Sequence, residues 1–309
     1  MESFERRKFL MSLTTLSAAT ALGNFSLAGA AVYKPPVNTE GNRFKISLNA
    51  YSFNEPLRNG KTSLEALLTF CAEYNFDAID LTAYYFPGYP QIPGDKYIYD
   101  LKRKAHRMGL EISGTGIRNE FAEPGKAKRA EEVTFVKRWI EVAAKLGAPV
   151  IRIFSGKALP PNYTWQEVAD WITEDIQACA EYGKQHGVIV AVQNHNDFIK
   201  TADEAIRLIR NVNSDWFGLV LDTGSFVTME PYSEIQKTAE YAVNWQIKEK
   251  LSYNGKEELM DLERLFRIIR ASAYRGYLPI ETLSVGDPFV IVPVFLKQVR
   301  TALEKVVNS

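Results

Sequence analysis

The sequence predicts a single (β/α)8 barrel of the TIM type, and three observations predict it. From Phe44 onward, short β-rich runs alternate with long helical patterns, and they do so eight times. Eight such units in about 265 residues is the size of this barrel. A doubly wound open sheet would alternate in the same way, but its glycine-rich dinucleotide fingerprint is missing: SGTGIRN has two glycines without the full spacing or a helix that starts at once.

Each unit has its own signals. FKISLNAYSF opens the first as a strand and gives way to the 3.6-residue apolar period of LEALLTFCAEYN. AIDLTAYYF and YDLKRKAHRMG form the second, joined by the proline- and tyrosine-rich tract YYFPGYPQIPGDKY, a long loop on the face where barrels keep their chemistry. LEISGTGIRNEF precedes a helix predicted from Lys126 to Leu146. VIRIFSG leads into WQEVADWITEDIQACAEYGKQHG, and VIVAVQNH into TADEAIRLIRNV. FGLVLDTGSF is followed by a helix begun near Pro231, AVNWQIKEK by LERLFRIIRASAY, and GYLPIETL by a last helix from about Val290. No repeat or low-complexity block divides this stretch, so residues 44–309 are read as one domain.

The first thirty residues differ in kind. Arg6 and Arg7 precede the apolar run FLMSLTTLSAATALG, which ends in small residues around Ala28-Gly29-Ala30, a fitting A-x-A cleavage site. That run is too short to span a bilayer as a mature helix, so no stable membrane insertion is expected. RRKFL resembles a twin-arginine export signal with Glu5 where Ser or Thr is usual, and an ordinary Sec signal is the other reading. Either way residues 1–30 are expected to direct export to the periplasm or beyond, with 31–43 as a linker.

Composition narrows the function. Thirty-seven basic and thirty-seven acidic residues cancel, which leaves no broad positive field for a phosphate backbone, so nucleic acid is not an expected partner. With 46% apolar and 12% aromatic residues the chain can bury a sizeable core. Cys71 and Cys179 lie in amphipathic helical patterns without C-x-x-C spacing and read as packing residues.

In a barrel the active site is built at the C-terminal strand ends, so each strand can be asked what it delivers there. The fifth ends in Gln193-Asn194-His195, the sixth in Asp222-Thr223-Gly224, the seventh in Gln246-Ile247-Lys248 and the eighth in Glu281. At any one of these positions a loop-capping or solvated polar residue is the default explanation. Four consecutive strands presenting Gln, Asp, Gln and Glu instead suit a hard divalent cation, Mg²⁺ or Mn²⁺.

The order AVQNH, LDTGSF, WQIKEK, LPIETL closely resembles the xylose isomerase-like barrels known as sugar phosphate isomerases and epimerases. In that family strands five to eight commonly supply Glu, Asp, His and Glu to one divalent metal. The resemblance therefore implies Gln193, Asp222, Gln246 and Glu281 as the ligand set, with Gln193 in place of the first glutamate and Gln246 in place of the histidine. Only two anionic ligands remain, and weak metal binding is the expected consequence. The activity implied is isomerase, epimerase or lyase chemistry on a carbohydrate through an enediolate-type intermediate. A phosphosugar fits poorly outside the cytoplasm, and an endonuclease of the same fold would need zinc-binding histidines and a basic face that this chain lacks. A noncatalytic carbohydrate-binding barrel that has lost its metal is the alternative.

Because Gln193 cannot accept a proton, Glu281 is the expected base, with His195, the one histidine at a strand end, as its partner. Lys248 and Lys157 are candidates for polarising a sugar oxygen. Tyr51 and Phe53 after the first strand, and Tyr84 with Tyr85 after the second, are aromatic surfaces on which a sugar would stack, and Asn194 is a further substrate-binding candidate. Trp245, next to inward Gln246, is expected to face the helices. Arg152, flanked by Ile151 and Ile153, should point into the barrel and need a carboxylate, Glu281 or Asp222.

Overall fold

The β-branched and aliphatic runs form strands β1 (Lys45–Asn49), β2 (Ala78–Thr82), β3 (Glu111–Gly116), β4 (Val150–Ile153), β5 (Ile189–Gln193), β6 (Phe217–Asp222) and β7 (Ala242–Lys248). A separate hairpin, β8 (Lys250–Tyr253) and β9 (Lys256–Leu259), precedes the last barrel strand, β10 (Tyr277–Glu281). These elements belong to a computed structural model that describes residues 44–308. The expected export signal and linker, residues 1–43, lie outside the described residues.

Strands β1 to β7 and β10 run parallel and close into a barrel in chain order, β10 pairing with both β7 and β1. The helices between them are α1 (Asn54–Arg58), α2 (Leu64–Glu73), α3 (Asp95–Arg107), α4 (Lys126–Leu146), α5 (Trp165–His186), α6 (Ala202–Val212), α7 (Pro231–Thr238), α8 (Leu262–Ala271) and α9 (Pro288–Val307). The expected (β/α)8 barrel is therefore the fold. Among the described residues no helix is long and apolar enough to cross a membrane.

Strand parity separates two apolar regions. Ile151, Ile153, Val190, Val192, Leu219 and Leu221 are fully buried in the large cluster that strands and helices share. The alternate residues Val150, Ala191 and Val220 form a small cluster of their own inside the barrel. Sharp helix ends set where the strands begin: α5 starts on a Thr164–Glu167 capping box and stops at Gly187, whose φ of 67° is left-handed.

The β8–β9 hairpin was not expected. Its signal is Asn254-Gly255 between KLSY and KEEL, and both residues have positive φ, 50° and 74°, as the favoured two-residue hairpin turn requires. It follows the C-terminal end of β7 directly, its base is closed by Met260 N–H donating to the Glu249 carbonyl at 2.8 Å, and Leu251 anchors it in the core. The hairpin thus becomes one wall above the C-terminal strand ends.

Candidate active site

Cross-strand register decides which strand-end side chains meet. Glu281 of β10 lies opposite Lys248 of β7, and Asp222 of β6 lies opposite Gln246 of β7. Gln246 and Lys248 are two residues apart and so share the inner face. The result is one buried polar cluster. Lys248 Nζ donates to Glu281 Oε1 and stands 3.5 Å from Asp222 Oδ2. Gln246 Nε2 donates to the other Glu281 oxygen, and Gln193 Nε2 donates to Asp222 Oδ2 at 2.7 Å. An ionised carboxylate only accepts, so each amide must turn its NH₂ toward the acid. Burial works against the charge of Lys248, but the Asp222 and Glu281 carboxylates outweigh it and hold the ammonium above the ordinary lysine range.

A cavity of about 330 Å³ opens over this cluster, lined by His195, Asp222, Lys248 and Glu281 and by Lys250 and Ser252 of the hairpin. His195 is exposed on its rim; its Nδ1 lies 2.8 Å from Asp197 Oδ2, and its ring packs edge-on against Phe154 at 5.0 Å. Tyr51 and Tyr84 meet edge to face with ring centres 6.4 Å apart, and Tyr85 packs beside Tyr84. Burial, with added repulsion from Tyr51 and Glu281, pushes the Tyr85 hydroxyl up; Tyr51, Tyr84 and Tyr85 stand outside the cavity lining.

Several expected residues stand elsewhere. Phe53 is fully buried, because a short 3-10 turn over Ala50–Phe53 swings it back against Phe70 and Phe289; it is core and not a sugar platform. Asn194 is also fully buried, and both ends of its amide are used on the backbone of Asp222, which it fastens to β5. Lys157 is exposed, outside the cavity lining, and its backbone N–H rests on the Glu120 carboxylate. Arg152 does point inward, but it donates to the Ile117 carbonyl, stacks on Phe154 with 4.3 Å to the ring centre, and shares its field with Asp80 rather than forming an ion pair with Glu281 or Asp222. Trp245 faces outward against Tyr274, as expected.

A model of the xylose isomerase-like TIM barrel matches residues 68–296, well over half of the chain. The chain belongs to that family. Among solved structures the xylose isomerase-like barrel is similar to an L-ribulose 3-epimerase, with TM-score 0.71 and 17% identity over 85% of this chain and 96% of that one. It is similar to D-psicose 3-epimerase from Clostridium cellulolyticum H10, with TM-score 0.69 and 17% identity over 84% and 99%. A 3-keto-D-glucoside 4-epimerase from E. coli matches with TM-score 0.66 and 15% identity over 84% and 100%. At these identities the likeness is one of fold. No curated protein matches the chain.

The family's metal can now be tested against the side chains of this barrel. Gln193, Asp222, Gln246 and Glu281 do converge, but as a donor set they do not fit a divalent cation. Both glutamines aim N–H groups, not carbonyl oxygens, at the carboxylates, and the Lys248 ammonium already touches both acids. Among the described residues no three His, Cys, Asp or Glu side chains cluster so as to hold a metal ion. The Mg²⁺ or Mn²⁺ ligand set expected from the sequence is thus occupied in this structure by its own side-chain pairing, with the lysine at the register position opposite Glu281 between the two acids.

Sequence reasoning missed two residues of this site. Asp197 carries a weak signal, its spacing of two from His195. Asp80 hides in the apolar-looking strand AIDLT, where strand parity turns it inward beneath the mouth. Burial, reinforced by Glu281 and partly offset by Arg152, pushes the Asp80 carboxyl up to about 6. Between its ordinary value of 3.8 and about 6 the folded state holds a proton that the unfolded state has lost, so this group's contribution to stability falls as pH rises through that window. The loss at neutral pH amounts to about 2–3 kcal/mol. Urea unfolding of wild type and Asp80→Asn below and above the window is expected to show a steeper fall in wild type by about that amount. Parallel pH dependence in the two proteins would remove the claim.

Proposed function

We propose that this barrel is an isomerase or epimerase of a small carbohydrate that moves a proton at a carbon beside a carbonyl. The observation that carries the reading is that Glu281, His195 and Lys248, a base, a second proton carrier and an electrophile, line one polar cavity at the C-terminal mouth. Family membership and neighbours named as ketosugar and keto-glycoside epimerases support the same class of substrate.

In this reading Glu281 takes the proton from carbon and the electron pair moves onto the carbonyl oxygen. An ammonium has three N–H groups; Glu281 and Asp222 face two of them, and the third is available to the oxygen on which charge develops. His195, oriented at Nδ1 by Asp197, offers Nε2 to return a proton. Tyr51 and Tyr84, beyond the lining of this cavity, would meet the apolar C–H face only of a sugar that extends out of it. With residues 1–30 read as an export signal, the same proposal has the protein act outside the cytoplasm. β-Elimination from a ketosugar begins with the same proton abstraction and belongs to the same reading.

Purified protein incubated with a panel of ketopentoses, ketohexoses and 3-keto-glucosides, followed by NMR, is the test. Interconversion or elimination of at least one member is expected. Sugars that bind unchanged across the panel would leave the barrel a carbohydrate-binding module and overturn the enzymatic reading.

A further inference from the structure

We infer that Lys248 is the built-in cation of this site and excludes a divalent metal from it. The ammonium bridges Glu281 and Asp222, the only two carboxylates of the strand-end set, and a dication held by that set would have to sit against the same oxygens. A unit positive charge a few ångströms from a dication repels it, and burial keeps solvent from screening that repulsion away. The two glutamines add to this, since their N–H dipoles present positive ends to the same place.

The lysine is fixed there by the fold. Its register partner is Glu281. Its backbone N–H donates to Thr223 Oγ1 at 3.0 Å, and that hydroxyl donates to the Gln246 carbonyl at 3.1 Å, which locks the end of β7 to the turn after β6. The side-chain stem crosses Gly224, where a Cβ would stand 2.8 Å from Lys248 Cγ. Glycine at this turn is thus the clearance that lets the lysine reach over to the acids.

The chemical consequence rests on the carbohydrate reading above: the oxygen on which charge develops is met by an ammonium N–H, and the chain works in the presence of chelator. Metal exclusion itself does not depend on that reading, and it is tested without substrate. Chelator-stripped wild type, Lys248→Ala and Lys248→Met are titrated with Mn²⁺ alone, free ion being read by electron paramagnetic resonance, with circular dichroism confirming the fold of each. Wild type is expected to take up no stoichiometric Mn²⁺, and the variants to bind it at least about tenfold more tightly, since the two acids lose their competing cation. Stoichiometric uptake by wild type overturns the inference whether or not the variants fold, and so does a folded variant that gains no affinity. A wild type that excludes Mn²⁺ yet converts no sugar would remove the proposed function and leave the built-in cation standing.

Discussion

Glu281→Gln is expected to lower turnover by about a thousandfold or more, because it removes the proposed proton acceptor and replaces it with a near-isostere that has no basicity. Glu281 is almost completely buried at the end of β10, with one oxygen facing Lys248 and the other Gln246. The amide keeps the shape and one acceptor, so the fold is expected to survive. Steady-state kinetics on any sugar that wild type converts, with thermal unfolding beside them, checks both halves. Turnover within tenfold of wild type would move the base elsewhere, and the inward Asp80 would be the next group to examine.

Lys248→Met should have the largest effect on stability, a loss of about 3–5 kcal/mol, the usual cost of removing one partner from a buried ion pair. Methionine fills much of the lysine stem's volume over Gly224, so the loss reports charge more than packing. What remains is two buried carboxylates on the strands that flank β7, with glutamine N–H groups as their only described side-chain neighbours in the cluster. A double-mutant cycle separates the terms: Lys248→Met combined with Glu281→Gln should be less destabilised than the sum of the singles by about 1–3 kcal/mol, since the second change removes a charge that the first left unpaired. Additive effects, measured by urea unfolding at neutral pH, would show that the pair contributes little.

The barrel was legible from Phe44 onward because each unit repeats the same physical alternation, and the predicted bounds Lys126 to Leu146 coincide with α4. The strand-end polar residues were legible for a related reason, since a Gln or Glu after an apolar strand can be placed on the mouth without knowing its neighbours. What those residues do to one another was not legible. Lys248 reads as a candidate for polarising a sugar oxygen, but not as the ion-pair partner of the acids until the pairing of β7 with β10 sets it opposite Glu281. Asp80 reads as one polar residue in an apolar strand until strand parity turns it inward. Phe53 misled for the opposite reason: an aromatic residue just past a strand reads as part of the mouth, but the 3-10 turn reverses the chain within four residues. The Asn254-Gly255 turn was visible in the sequence, and the regular expectation of a helix after β7 hid it.

Deuterium transfer from heavy water into the carbohydrate is the most direct test of proton transfer at this site. Wild type and Glu281→Gln are incubated side by side in D₂O with a converted sugar, and the carbon beside the carbonyl is read by NMR. Wild type is expected to introduce deuterium at that carbon, and Glu281→Gln to do so slower by the same large factor as turnover. Conversion that retains the sugar's own hydrogen, or equal deuterium incorporation by the two proteins, would contradict proton transfer through Glu281.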